Sequence, residues 1–389
     1  MQGSHVAVKQ QICPVCPINK GKNMKKLAMV LAIVCITALM SPVTTYACGI
    51  FQITADDGSI MVTRSMEFSV DLKYDIIVVP RNKAFVSPSP DGKTGLKWIT
   101  RFGYAGVASL GKEYGVSDGM NEKGLAISLL WFENDMKWQD VGPNETSRAL
   151  AQIMLTDWIL GNFSTVEEIK QNISNIRVFG YVEPMIKMSL PAHFSVYDAT
   201  GGSAVIEYEN GLCKVYDNPL GVMTNAPSFP WQMTNLRQFI GMKSENPAPV
   251  KEYGLTFLPT GHGAGLFGLP GDLTPPSRFV RLALLTRLAD KQHDVKGNLN
   301  LAQHIINTVD IPLGLVTDTS PDGKTVLKES TQWVTFRDLT NHALYFRTYD
   351  NLNLRKLDLN ALDFNAKTVK RISMFNRPEA VIDVTDQAR

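Results

Sequence analysis

Residues 27–40 form a run of 14 uncharged, mostly apolar residues, which decides where the folded chain begins. Met24-Lys25-Lys26 precedes the run, and Ser41-Pro-Val-Thr-Thr-Tyr-Ala47 follows it. A basic start, an apolar core and a small residue at the cleavage point are the pattern of a secretory signal peptide. Fourteen residues fall short of the roughly 20 that cross a bilayer, which argues against a retained anchor. Cleavage after Ala47 makes Cys48 the first residue of the mature chain, and the expected location is periplasmic or secreted. Residues 1–23 then read as an upstream extension outside the mature protein. Their Cys13-Pro-Val-Cys16 is a lone CxxC with no second pair, a weak zinc or redox signal. A lipoprotein also begins with cysteine, but Thr45-Tyr46-Ala47 lacks the Leu-like and small residues of a lipidation signal.

Charge and cysteine counts change once the leader is set apart. The chain holds 39 basic and 37 acidic residues. Five of the basic ones (Lys9, Lys20, Lys22, Lys25, Lys26) lie in residues 1–47, which contain no acid. The remainder is slightly acidic, so a general nucleic-acid-binding surface is excluded. Only Cys48 and Cys213 survive cleavage, too few for a disulfide framework. A composition of 44% hydrophobic and 20% charged residues is that of a globular chain.

Along 48–389 the hydrophobic period alternates between two and 3.6 residues. Residues 49–64 predict a hairpin around Ala55-Asp56-Asp57-Gly58. Strands are expected at 74–80, 103–110 and 125–132, whose continuous apolar runs suit burial on both faces. Residues 149–161 and 164–173 predict helices, the second opened by a Ser164–Glu167 capping box. Strands follow at 193–197 and 204–208 around Gly201-Gly202, then helices at 276–288 and 299–309. The chain closes on strands at 332–337, 343–348 and 355–359. No linker divides it, so 48–389 is read as one domain of two sheets with helices outside.

An N-terminal cysteine carries both a nucleophile and a base. Its α-amine has a pKa of about 7.7–8.0, and its thiol about 8.5. The neutral amine can take the thiol proton and return it to a leaving group, with no His or Asp required.

Other segments give that arrangement a context. Cys48-Gly-Ile-Phe, Arg64-Ser-Met-Glu67, Asp118-Gly-Met-Asn-Glu-Lys-Gly-Leu125, Met223-Thr-Asn-Ala-Pro227 and Leu269-Pro-Gly-Asp-Leu-Thr-Pro-Pro-Ser-Arg-Phe-Val-Arg281 occur in that order. Together with Gln332-Trp333 and Phe346-Arg-Thr-Tyr349, they resemble the choloylglycine hydrolase family. That family holds conjugated bile acid hydrolases and penicillin V acylases, within the N-terminal nucleophile hydrolases. The resemblance implies an α+β fold, a four-layer αββα sandwich, commonly a homotetramer, and hydrolysis of a linear amide without cofactor or metal. It matches Cys48 to the nucleophile and Arg64 to the arginine beside the thiol. Glu67 stands where the best-known members have Asp. Asn225 matches the oxyanion asparagine, and Arg278 an arginine that orders the site. Trp131 stands where many bile acid hydrolases have asparagine; its ring would wall the acyl group, and its backbone N–H would complete the oxyanion hole. Asn121 is expected to shape a turn, His193 to be structural and Cys213 to be inert.

The implied substrate is a small-molecule amide of a bulky apolar acyl group: penicillin V, an N-acyl homoserine lactone or a conjugated bile salt. Trp131 and the export leader lean toward the first two. Residues 83–97 and 133–145 are the expected pocket rims. The rival reading is a non-catalytic exported lipoprotein or binding protein on the same sandwich.

Overall fold

Strand β1 (Cys48–Thr54) turns into strand β2 (Ile60–Phe68) through Gly58 at φ +84°, with the Ser59 N–H donating to Asp57 Oδ1 at 2.8 Å. This is the hairpin that the Asp-Gly pair predicts. The computed structural model describes residues 47–133, 136–185, 187–320, 323–375 and 381–388. The leader at 24–46 and the extension at 1–23 lie outside the described residues. The described residues within 47–318 and 326–388 form one compact unit.

The further strands of the two large sheets are β3 (Asp75–Val79), β4 (Tyr104–Ala108), β5 (Asp118–Asn121), β6 (Ala126–Trp131), β7 (Ala192–Tyr197), β8 (Ser203–Glu209) and β9 (Leu212–Asp217). After them come β10 (Val316–Thr319), β11 (Val326–Asp338), β12 (Ala343–Thr348), β13 (Asn351–Asp358) and β14 (Lys370–Ser373). One sheet runs β1-β2-β11-β12-β13, with β10 beside β11; the other runs β9-β8-β7-β6-β5-β4-β3-β14. The helices are α1 (Leu155–Asn162), α2 (Val166–Asn172), α3 (Phe229–Leu236), α4 (Pro275–Leu288) and α5 (Val295–Asn307).

Side-chain alternation along β3 builds the layers. Ile76 and Val78 pack in one hydrophobic cluster with Val62, Trp333 and Phe336 of the first sheet, while Ile77 and Val79 pack in a second with Leu155, Ile159 and Ile169 of α1 and α2. Phe279, Leu282 and Ile305 of α4 and α5 join the first cluster. The result is helices, sheet, sheet, helices: the αββα sandwich. Strands buried on both faces explain why 76–79 is an unbroken apolar run.

Two helix starts differ from expectation. Residues Ala149–Ala151 form a short strand parallel to Arg177–Phe179, and the Ala151 N–H donates to Ser87 Oγ at 2.8 Å, so α1 begins only at Leu155. Tertiary pairing there captures backbone groups that the helical period had claimed. The cap of α2 sits one residue later than Ser164: Thr165 Oγ1 accepts from the Glu168 N–H at 3.2 Å, while Glu168 Oε2 accepts from the Ser164 N–H at 2.6 Å.

The β5–β6 turn is built as its residues imply. Asn121 Oδ1 accepts from the N–H groups of Lys123 (2.9 Å) and Leu125 (3.1 Å), and its Nδ2 donates to Leu160 O and Phe163 O. Gly124 sits at φ +77°, and a Cβ there would meet Leu339 O at 2.3 Å. Only glycine fits.

Candidate active site

Pairing across the first hairpin brings the thiol and two of its neighbours together. In the β1–β2 register Cys48 lies opposite Met66 and Ile50 opposite Arg64, so Cys48, Arg64 and Met66 project from one face of the sheet. Arg64 Nη2 stands 3.8 Å from Cys48 Sγ and donates to Leu129 O at 2.6 Å; Nη1 donates to Ser117 O. The guanidinium also lies over the Trp333 ring, 5.1 Å from its centroid. Glu67, one residue on, projects from the opposite face, where Thr331 of β11 is its cross-strand partner and donates to Oε1 at 2.8 Å.

A loop supplies the fourth residue by extending the sheet. Ile50 and Met223 exchange backbone hydrogen bonds of 2.9 and 3.0 Å, which lays residues 221–225 alongside β1. Asn225 therefore arrives beside Cys48. Its Oδ1 accepts from the Cys48 backbone N–H at 2.6 Å and from Arg278 Nη2 at 2.9 Å, and its Nδ2 donates to Trp131 O at 2.9 Å. Because Arg can only donate, the orientation of the Asn225 amide is determined. Arg278 sits in the first turn of α4, where Asp272 accepts from the Thr274 N–H (2.9 Å) and the Ser277 hydroxyl (2.6 Å) and so anchors the helix start. From there Arg278 Nη1 donates to Cys48 O at 2.5 Å. Cys48, Arg64, Glu67, Asn225 and Arg278 thus form one cluster, all nearly inaccessible to solvent.

Above the thiol opens an apolar cleft. Trp131 lines it, tilted against Phe68 with ring centroids 6.1 Å apart, beside Leu72, Tyr74, Leu129, Ile153 and Leu190. The expected rims are corrected. Phe68, Leu72 and Tyr74, then Leu110, Lys112 and Tyr114, and Glu183 and Leu190 line the cleft, and Lys112 of one loop pairs with Glu183 of another. Lys83, Ala84, Phe85, Val86 and Pro88 face an adjoining cavity instead, which Ala151, Ile153 and Met154 also line. In the 133–145 segment, Trp138 packs on Phe194 and Tyr208 in the outer layer.

Burial dominates the electrostatics. It pushes the Cys48 thiol above its ordinary value, while the Arg64 charge pulls the other way. Burial raises Glu67 to about 8 against the opposing pull of Arg278, and raises Glu329 to about 7. Glu67 Oε2 has no hydrogen-bond partner among the described residues. His193 is held within the core: its Nε2 lies 2.8 Å from Thr224 O, its Nδ1 3.1 Å from Glu207 Oε1, and its ring stacks on Phe132. Burial raises Cys213, on β9, to about 11.

Sequence reasoning missed Met66, Thr331, Asp118 and Arg337. Asp118 stood in a recognised motif, but nothing local announced its contact with Arg337, more than 200 residues away.

The cluster places a thiol, two cations, a carboxyl and an amide donor against an apolar cleft, a set suited to acyl transfer from an amide. Residues 48–372 match the family described as linear amide C–N hydrolases, choloylglycine hydrolase family. The chain is 32% identical over 324 residues to a bile salt hydrolase/transferase of Clostridium perfringens, spanning 81% of this chain and 93% of that protein. It is 25% identical over 368 residues to a penicillin V acylase of Pectobacterium atrosepticum, spanning 89% of each. The crystal structure of a variant of conjugated bile acid hydrolase from Clostridium perfringens aligns with a TM-score of 0.76 at 27% identity, covering 87% of this chain and 100% of that one.

Proposed function

The chain belongs to the choloylglycine hydrolase family of linear amide C–N hydrolases, and on that premise we propose an exported N-terminal cysteine amidohydrolase acting through a thioester on Cys48. One observation carries the reading: Cys48 Sγ lies 3.8 Å from the Arg64 guanidinium at the base of an apolar cleft. Removal of residues 24–47 would free the Cys48 α-amine, and the family match beginning at residue 48 supports that boundary.

The neutral amine takes the thiol proton, and the sulfur attacks the substrate carbonyl carbon. Negative charge gathers on the carbonyl oxygen, where the second N–H of Asn225 Nδ2 donates to it. The ammonium then protonates the leaving nitrogen, the C–N bond breaks, and a small amine departs from the thioester. Water attacks the thioester carbon after losing a proton to the same amine. The C–S bond breaks, the acyl group leaves as a carboxylic acid, and the thiol is restored. Arg278 holds the Cys48 carbonyl and the Asn225 amide so that neither turns away.

The Phe68 and Trp131 rings favour a bulky apolar acyl group. Hydrolysis of penicillin V, acyl homoserine lactones, glycocholate and taurocholate, compared by kcat/KM on the mature chain, tests the reaction and ranks the substrates. No turnover of any of them would remove this reading. A mature chain whose intact mass carries a diacylglyceryl adduct on Cys48 would instead support the lipoprotein.

Glu67 gives a prediction with a defined sign. Its carboxyl binds a proton in the folded state up to about pH 8, whereas an unfolded glutamate releases it near 4.5. Between these values the folded state holds the extra proton, so stability falls as pH rises. Glu67→Gln is expected to remove that part of the slope in denaturant midpoints measured from pH 5 to 8. Turnover should also fall, most of all above about pH 8, where Glu67 is ionised and the amide offers the Cys48 ammonium no negative charge; Glu67→Asp should keep part of it. Wild-type turnover and slope in both variants would take Glu67 out of the site.

A further inference from the structure

Arg64 does not meet the thiol alone. Asp118, at the start of β5 and 0% exposed, has Oδ1 3.7 Å from Arg64 Nη1. The same oxygen forms an ion pair with Arg337 Nη1 at 2.8 Å and accepts from Ser128 Oγ at 2.5 Å, and Oδ2 accepts from Thr335 Oγ1 at 2.7 Å. Arg337, in β11, is also 0% exposed, and its Nε and Nη2 have no hydrogen-bond partner among the described residues. Two guanidiniums, which keep their charge in proteins, therefore share one carboxylate. The triad carries one uncompensated positive charge in a part of the core where such a charge is costly. At its open side lies the Cys48 thiol.

We propose that Asp118 and Arg337 are positioning residues that set the charge behind Arg64, making the Cys48 thiolate the missing counter-ion of a buried Arg64–Asp118–Arg337 triad. This rests on the reading of Cys48 as nucleophile. Asp118 draws Arg64 back and weakens the field it presents to sulfur; Arg337 neutralises Asp118 and restores that field. The other charged or titratable groups that act on the thiol are Glu67, through its charge from the far face of β2, Arg278 at the Cys48 carbonyl, Tyr74 at the cleft wall and the freed amine; Tyr197 acts on Arg337. Substitutions at 118 and 337 leave all of these in place.

The two residues must then act with opposite signs, which a purely structural support would not do. The test is the pH dependence of Cys48 alkylation by iodoacetamide in the mature chain, in a Cys213→Ser background. It reads the thiolate directly and needs no substrate. A unit charge removed roughly 10 Å away through an effective dielectric near 20 is worth about one pH unit. Asp118→Asn is expected to lower the alkylation midpoint by about that much, and Arg337→Met to raise it by a similar amount. Arg337→Lys, which keeps the charge, should stay near wild type. Midpoints that move in the same direction, or not at all, overturn the proposal. If Asp118→Asn does not fold, the comparison of Arg337→Met with Arg337→Lys decides: equal midpoints overturn it. Amide hydrolysis measured in parallel separates the readings, since a chain with the opposite shifts but no hydrolytic activity would lose the proposed reaction and keep the triad.

Discussion

A polypeptide beginning at Cys48 is expected to hydrolyse its amide substrate, and one that retains Tyr46-Ala47 ahead of it to be folded and nearly inert. The structure shows how the fold accommodates Ala47. With Ala47 attached, its side chain is 5% exposed, its carbonyl accepts from the Glu67 N–H at 3.0 Å, and the Cys48 N–H donates to Asn225 Oδ1 at 2.6 Å. That nitrogen is an amide, however, and has no basic lone pair. Freed, it stays within reach of Asn225 Oδ1 and becomes an amine able to take the thiol proton. The loss expected from blocking a general base is on the order of 10²–10⁴-fold. Retention also keeps the Glu67 N–H bonded to Ala47 O. Turnover of the two proteins, with intact mass confirming that Tyr46-Ala47 is still present, makes the comparison; equal rates would end the N-terminal nucleophile reading. Cys48→Ser should be severely impaired, since a hydroxyl is a far weaker acid than a thiol, whereas Cys213→Ser should be close to silent.

The second large effect is at Asn225. Asn225→Ala removes the proposed oxyanion donor and should lower kcat by about 10²-fold or more. It also strips partners from Arg278 Nη2 and Trp131 O, so a stability loss of about 1–3 kcal/mol accompanies it. Asn225→Asp separates the two roles. It keeps an acceptor for Arg278 and the Cys48 nitrogen but has no N–H to give the developing oxyanion. Comparable inactivity in both folded variants is expected in single-turnover assays. Substantial turnover in Asn225→Asp would mean that acceptance, not donation, is what the residue contributes.

Much of this site could be read along the chain because its parts are short, local devices. Asp57-Gly58 closes a tight hairpin, and once two strands of fixed period pair, Arg64 falls on the face of Cys48 as a matter of register. The same parity puts Glu67 on the opposite face, against Thr331. The Asn121–Leu125 turn is equally local, since one side chain and one glycine satisfy it. Helix periods marked α4 and α5, and the unbroken apolar run at 76–79 announced a strand buried on both sides.

What lay beyond the sequence were contacts between distant segments and the boundaries those contacts impose. Residues 149–151 have a helical pattern but become a strand, because Ser87 and the Arg177–Phe179 strand offer their backbone partners first. The cleft rims were misjudged for the same reason: a loop's composition does not say which cavity it faces. The charge behind Arg64 depends on Asp118 and Arg337 meeting across two sheets. By itself the sequence determined which residues form the strands and turns around Cys48, since those depend on period and turn chemistry. Only the tertiary structure decided which charges share the buried space, because burial and pairing across 200 residues are properties of the packed sandwich and not of any segment within it.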